Sequence, residues 1–205
     1  MQAQVCPGEV AAALPATPPE GGEPISALIS DLDRVIVPGL TQVQHPRHVG
    51  WFPSNAALAS VLGDLASSGL GGPGISWQSA PALTELEQVV CDRMRQLIGL
   101  SPQWQGAIHD TASTACLVAL LAARERAGQY CAEHGGLQAL PRPLVVYASE
   151  HAHSSVPKAA LLAGFGRDNL RLVAADPATF GMLPQALAAA MAADAEAGRQ
   201  PAAWW

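Results

Sequence analysis

The chain has 205 residues, 49% of them hydrophobic, enough for a real core in one sizeable domain or in a smaller domain with a leading arm. Its net charge is −6 and its 11 Lys plus Arg are thinly spread, so there is no basic stripe to neutralise a nucleic-acid backbone and no nucleic-acid partner is expected. The apolar runs fall short of a membrane span and no basic segment precedes an apolar one at the N-terminus, which points to a soluble, cytoplasmic chain with no membrane partner.

Residues 1–24 are rich in Pro, Gly and Glu without a sustained period, and are expected to form a flexible leader rather than a packed element. Leu28, Ile29, Leu32, Val35 and Ile36 recur at helical spacing, predicting a helix from Ile25 to about Val37 that Pro38 and Gly39 end. From His45 to Pro53 two prolines bracket an aromatic pair. Such a segment is stiff and extended, and it either presents Trp51 and Phe52 to a pocket or interface or plugs the core with them. Ser54 is the expected cap of a second helix that stops near Gly69. The glycine-dense loop Gly69–Trp77 does not match a dinucleotide fingerprint, but it allows close backbone approach to another surface. A third helix, from Pro81 to about Leu100, is expected to turn Leu86, Val89, Val90, Met94, Leu97 and Ile98 into the core.

The stretch Gly106–Arg126 predicts a short strand, a tight polar turn at Asp110–Thr114 and an apolar helix. A helix start leaves backbone N–H groups unpaired at the positive end of the macrodipole, so small hydroxyl residues there can cradle a phosphate. The competing reading is an ordinary N-cap at Asp110 or Thr111. Beyond it the pattern alternates: strand Leu144–Tyr147, helix from His151 to about Ala163, strand Leu170–Val173, and an Ala-rich helix Pro184–Ala197. Alternation of this kind implies a mostly parallel sheet covered on both faces. The chain ends as a further strand is expected to begin, at Pro201–Trp205. Cys6, Cys91, Cys116 and Cys131 have no metal-ligand spacing, and His151 and His153 have no third ligand nearby, so no metal site is expected.

Four segments, in order, carry a resemblance. They are His45-Pro46 with Trp51-Phe52-Pro53; Ser76-Trp77 with Ser79 through Glu87; Asp110 through Ala115 running into Leu117–Arg124; and Ala152-His153-Ser154-Ser155-Val156. Together they resemble the N-terminal portion of the group II pyridoxal-phosphate-dependent amino-acid decarboxylases, the aromatic-L-amino-acid decarboxylase-like family, from about Ile25 onward. The resemblance implies an α/β fold: an incomplete large domain of fold type I at residues 81–205, with a mostly parallel sheet and flanking helices. A helical arm at residues 25–80 that serves dimerisation precedes it. It implies pyridoxal 5'-phosphate as cofactor, an amino acid, favoured as aromatic, as substrate, and a homodimer in the full-length form. Thr111, Ala112 and Ser113 match the turn that holds the cofactor phosphate, and His153 matches the catalytic histidine that stacks on the ring. Trp51, Phe52 and Pro53 match the segment lining the substrate pocket, and Pro73 and Ile75 the loop that reaches the partner subunit's pocket.

The chain departs from that family in one respect. Such enzymes need a lysine to hold the cofactor's aldehyde and an acidic residue beneath the ring nitrogen. Ten of the 11 basic residues are arginine, and the one lysine, Lys158, falls where relatives carry an ordinary helix residue. His109 also stands where glutamine is common. The sequence is therefore expected to be the N-terminal part of a carboxy-lyase, truncated before its catalytic lysine; the alternative is an inactive shortened homologue acting as a dimerisation or phosphate-binding module.

Overall fold

The computed structural model describes residues 3, 5–51 and 57–205, which fall into two compact units, Met1–Pro73 and Gly74–Trp205.

The first unit is helical among its described residues. A short helix, α1 (Glu9–Ala12), forms inside the leader where none was expected, because Glu9 closes a cap on itself. Its carboxylate accepts the Cys6 N–H at 2.8 Å while its own N–H donates to the Cys6 carbonyl at 3.1 Å. The helix predicted for Ile25 to Val37 is regular only as α2 (Ile25–Asp31); it widens into a π turn at Leu32–Ile36 and tightens into a 3-10 turn at Val37–Gly39. Pro38 has no N–H to return to the carbonyl four residues back, and the end of the helix adjusts around that missing bond. Helix α3 (Leu58–Leu70) runs a turn past Ser67 to Gly71, whose φ of 61° supplies the left-handed cap. Its expected capping residue, Ser54, lies outside the described residues.

The second unit holds the sheet. Helix α4 (Pro81–Leu97) ends three residues earlier than predicted, with Gly99 at φ 74° just beyond. No residue of α4 is buried, against the expectation of a core helix: Leu86, Met94 and Leu97 are 58%, 56% and 81% exposed. Both faces of the sheet are already covered by other helices. Strands β1 (Leu144–Ser149), β2 (Leu170–Val173) and β3 (Gln200–Trp204) pair in the order β2-β1-β3, all parallel. The ladder between β1 and β3 slips after Val145, where Pro201 stands opposite and has no N–H to offer.

Alternation along β1 builds two cores. Leu144, Val146 and Ala148 face α5 (Ala112–Ala127) and α6 (Ser155–Leu162), meeting Cys116, Leu120, Val156, Ala159 and Ala160. Val145 and Tyr147 face α7 (Pro184–Glu196), meeting Val173 from β2 and Leu187, Ala190 and Met191. A central strand buried on both faces reads as a continuous apolar run, and each fully buried valine here contributes about 2 kcal/mol. Side chains tie the layers: Arg124 donates to the Ala163 carbonyl at 2.8 Å and Gln200 to the Ala127 carbonyl at 2.9 Å.

One polar cluster sits under the α7 face. Tyr147, fully buried, donates its hydroxyl to Asp194 at 3.0 Å, and Asp194, 3% exposed, is clamped by Arg171 at 2.7 Å and Arg199 at 3.0 Å. The Arg171 hydrogen bond holds the Asp194 carboxyl below its ordinary 3.8, ahead of the opposing cost of burial, while burial followed by the Asp194 bond pushes the Tyr147 phenol up to about 12. A depressed carboxyl stabilises the fold above its unfolded value near pH 3.8 and loses that contribution as pH falls through the folded value. A raised phenol stabilises it below pH 10.0 and loses that contribution as pH rises through about 12. Urea midpoints measured against pH are therefore expected to form a plateau between these limits, and an Asp194→Asn variant to lose most of the fall on the acid side. An unchanged acid limb in that variant would remove Asp194 from the account.

Candidate functional site

The carboxyl edge of a parallel sheet, where strands give way to helix N-termini, is where α/β folds place ligands. Strand β1 leaves the sheet at Ser149 and returns as α6 at Ser155, with His151, Ala152 and His153 in the connection. Helical structure was expected from His151, but it begins four residues later. Pro157 is the reason: it is tolerated in the first turn of α6, whereas a helix from His151 would put its ring against the His153 carbonyl. The connection is held by its own bonds. Ala152 N–H donates to the Ser149 carbonyl at 2.8 Å, Glu150 N–H to the Val173 carbonyl at 3.0 Å, and the Glu150 carboxylate accepts the Ala175 N–H at 2.8 Å. His151 packs edge-on against Phe180, with ring centroids 5.4 Å apart.

Helix α5 starts beside α6. The short strand predicted at the start of Gly106–Arg126 does not form: the Ile108 N–H is taken by the Glu87 carboxylate at 2.8 Å rather than by a neighbouring strand. The polar turn forms as predicted. Thr111, extended at φ −143°, is the N-cap, its hydroxyl accepting the Thr114 N–H at 3.2 Å, and its carbonyl accepts the Ala115 N–H at 3.0 Å. The capping reading thus holds for Thr111. It leaves the N–H groups of Ala112 and Ser113 without a hydrogen-bond partner among the described residues, and Thr111, Ala112 and Ser113 are all exposed. Two open donors, a serine hydroxyl and the positive end of a 16-residue helix suit a phosphate.

A short chain of contacts links this turn to His153. Cys116, one turn into α5 and 6% exposed, places its Sγ 3.7 Å from the Ser155 hydroxyl, and that hydroxyl lies 3.0 Å from Nδ1 of His153. His153 is itself an exposed residue. The helix that Thr111, Ala112 and Ser113 start is thus in contact, through Cys116, with the residue that holds His153. Of the other five residues singled out from the sequence, Trp51 is 70% exposed with its ring 5.8 Å from that of His48, and Pro73 is exposed at the end of the first unit. Ile75 is 88% exposed in a turn-rich segment of the second unit, and Phe52 and Pro53 lie outside the described residues. Lys158 is exposed on α6, whose buried face carries Ser155, Val156, Ala159 and Ala160. Among the described residues no three His, Cys, Asp or Glu side chains cluster to hold a metal, and no helix is long and apolar enough to cross a membrane.

Two structural roles escaped the sequence reading. Ser155 was visible only as a member of a motif, and its contact with Cys116 joins residues 39 apart. Asp194 did leave a signal: with Leu187, Ala190 and Met191 it occupies the buried stripe of α7, and an acid on an apolar stripe demands partners from elsewhere in the fold.

A parallel α/β layer with an open helix start and a histidine at the carboxyl edge of its central strand places the chain among α/β folds able to receive a phosphate-bearing ligand. Residues 7–203 match the model of the pyridoxal-dependent decarboxylase conserved domain, and the chain belongs to that family. It is 37% identical over 205 residues to a phenylacetaldehyde synthase of Arabidopsis thaliana and to tryptophan decarboxylase 2 of Oryza sativa, in each case over 97% of this chain. Its structure superposes on Oryza sativa TDC solved with PLP and tryptamine at a TM-score of 0.88 and 33% identity, over 99% of this chain and 45% of that one. The chain spans about 40% of the length of these curated relatives. The α/β fold and the family's pyridoxal cofactor thus agree with what the resemblance implied.

Proposed function

We propose that this chain is the N-terminal part of a pyridoxal-phosphate-dependent carboxy-lyase acting on aromatic amino acids, a homodimeric cytoplasmic enzyme in its full-length form. The observation that carries the reading is the open start of α5, with two N–H groups unbonded among the described residues and exposed Thr111 and Ser113, in a helix linked through Cys116 and Ser155 to His153. Ala112 and Ser113 bind the phosphate through their N–H groups, the Ser113 hydroxyl adds a donor, and Thr111 keeps the turn in shape by capping the helix. Bound there, pyridoxal phosphate supplies the electron sink for the pair left behind when a carboxylate departs as carbon dioxide. His153 would stack on the ring and orient it. The family resemblance assigns substrate contacts to Trp51, Phe52 and Pro53, and contacts with the partner subunit's pocket to Pro73 and Ile75. The relatives named for tryptophan, tyrosine and aromatic amino acids support the aromatic substrate. Dimerisation is supported by the apolar side chains that α3 leaves open, with Leu58, Leu62 and Leu65 at 74%, 55% and 69% exposure.

Lys158 is not read as the lysine that holds the aldehyde. Reducing a mixture of the 205-residue chain and pyridoxal phosphate with borohydride, followed by peptide mass spectrometry, is expected to give no stoichiometric pyridoxyl adduct on Lys158. An adduct there that substrate reverses would show that Lys158 does the work itself. The substrate assignment is tested by carbon dioxide release from the longest protein the gene encodes, with L-tryptophan, L-tyrosine and L-glutamate offered in parallel. Release from glutamate alone would overturn it.

A further inference from the structure

We propose that Ser155 is a positioning residue that sets the tautomer of His153, so that the ring offers an Nε2–H donor, and not a bare nitrogen, to the ligand side. The ligand side is defined by the reading of His153 given above; the tautomer is not.

Two donors from one residue converge on Nδ1 of His153. The Ser155 backbone N–H lies 3.2 Å away and its hydroxyl 3.0 Å away. A backbone N–H can only donate, so Nδ1 must present a lone pair, and the single proton of the neutral ring then sits on Nε2. The hydroxyl, which could serve either as donor or acceptor, is pulled the same way. Ser155 is 5% exposed, so water does not compete for its Oγ, and the remaining neighbour is the Cys116 thiol at 3.7 Å. A thiol sulfur is a weak acceptor beside an imidazole nitrogen, so the serine proton goes to Nδ1 and the thiol donates weakly to the serine oxygen. The resulting chain runs from Cys116 S–H to Ser155 O–H to Nδ1. Nε2 has no partner among the described residues and His153 is an exposed residue, which leaves the N–H available to an acceptor on an incoming ligand.

The position of Ser155 explains why a hydroxyl serves there. It is the first residue of α6, where the N–H has no carbonyl one turn back to meet. His153 satisfies that N–H from two residues upstream, so the bond that caps the helix also orients the ring.

The test uses the 205-residue chain labelled with 15N-histidine, without cofactor, above the pH at which its histidines titrate. Long-range 1H–15N correlation spectra, assigned with His153→Gln, are expected to show His153 with Nδ1 unprotonated and Nε2 protonated. Exposed His134, which has no side-chain bond among those described, serves as the internal reference for an unbiased ring. Ser155→Ala is expected to raise the minor tautomer of His153 about fivefold, the factor one hydrogen bond of ordinary net strength carries. Cys116→Ala should act in the same direction more weakly. A wild-type His153 with its proton on Nδ1, or with the tautomer mixture of His134, overturns the proposal. So does a Ser155→Ala variant of unchanged tautomer whose circular dichroism is that of the wild type. If Ser155→Ala fails to fold, the wild-type spectrum decides alone. Adding pyridoxal phosphate in a separate arm separates the two ideas: a chain that keeps the tautomer but binds no cofactor refutes the phosphate site proposed at the start of α5 and leaves this inference standing.

Discussion

Asp194→Ala is expected to lower the unfolding free energy by about 3 kcal/mol, the low end of what removing one partner of a buried ion pair costs. Two losses add. Tyr147, with no exposed surface, is left with a hydroxyl that has no acceptor, a cost of roughly 1–3 kcal/mol. Arg171 and Arg199 lose their shared counter-charge, but at 26% and 40% exposure their guanidinium groups can turn to water, which keeps the second loss moderate. In a chain of this size the melting temperature should fall by roughly 10 °C. Tyr147→Phe separates the terms, since it keeps both ion pairs and should cost only about 1 kcal/mol. Urea unfolding followed by circular dichroism measures both variants; a loss below about 1 kcal/mol for Asp194→Ala would mean that α7 is held by its apolar stripe alone.

Ser113→Asp should separate folding from binding. Ser113 stands in the first turn of α5, where a carboxylate meets the positive end of the helix and stabilises it by about 0.3–1 kcal/mol. The same carboxylate occupies the space proposed for the cofactor phosphate. Juxtaposed like charges cost several kcal/mol, so affinity for pyridoxal phosphate should fall about 100-fold or more. Titration of the chain followed by absorbance or tryptophan fluorescence reads the binding, and thermal melting reads the fold. A variant that is at least as stable as the parent and has lost its cofactor is the expected pair of results. Unchanged binding would move the phosphate away from the start of α5.

The expectation for α4 shows how an apolar stripe can mislead. Leu86, Val89, Met94 and Leu97 recur at the spacing of a core-facing helix, yet all four are exposed. Periodicity reveals that a face seeks apolar company, not which surface supplies it, and here α5, α6 and α7 already cover both faces of β1. The strand expected at Gly106 failed for a related reason. Its residues suit an extended conformation, but a strand exists only through a ladder, and the Glu87 side chain took the Ile108 N–H first.

What the sequence by itself determined were the features whose cause is local. Leu144–Ser149 and Leu170–Val173 are strands because short apolar, β-branched runs between turn residues have few alternatives, and Thr111 caps α5 because its hydroxyl reaches an N–H three residues on. The family motifs are local in the same sense, which is why the polar turn at Thr111 and the position of His153 could be singled out before any coordinates. Only the tertiary structure decided what depends on residues far apart in the chain. It set Cys116 against Ser155, it gathered Tyr147, Arg171 and Arg199 around Asp194, and it left the apolar face of α4 uncovered. Hydrogen bonds and ion pairs between elements follow from how the elements pack, and packing is a property of the whole chain that no single stretch encodes.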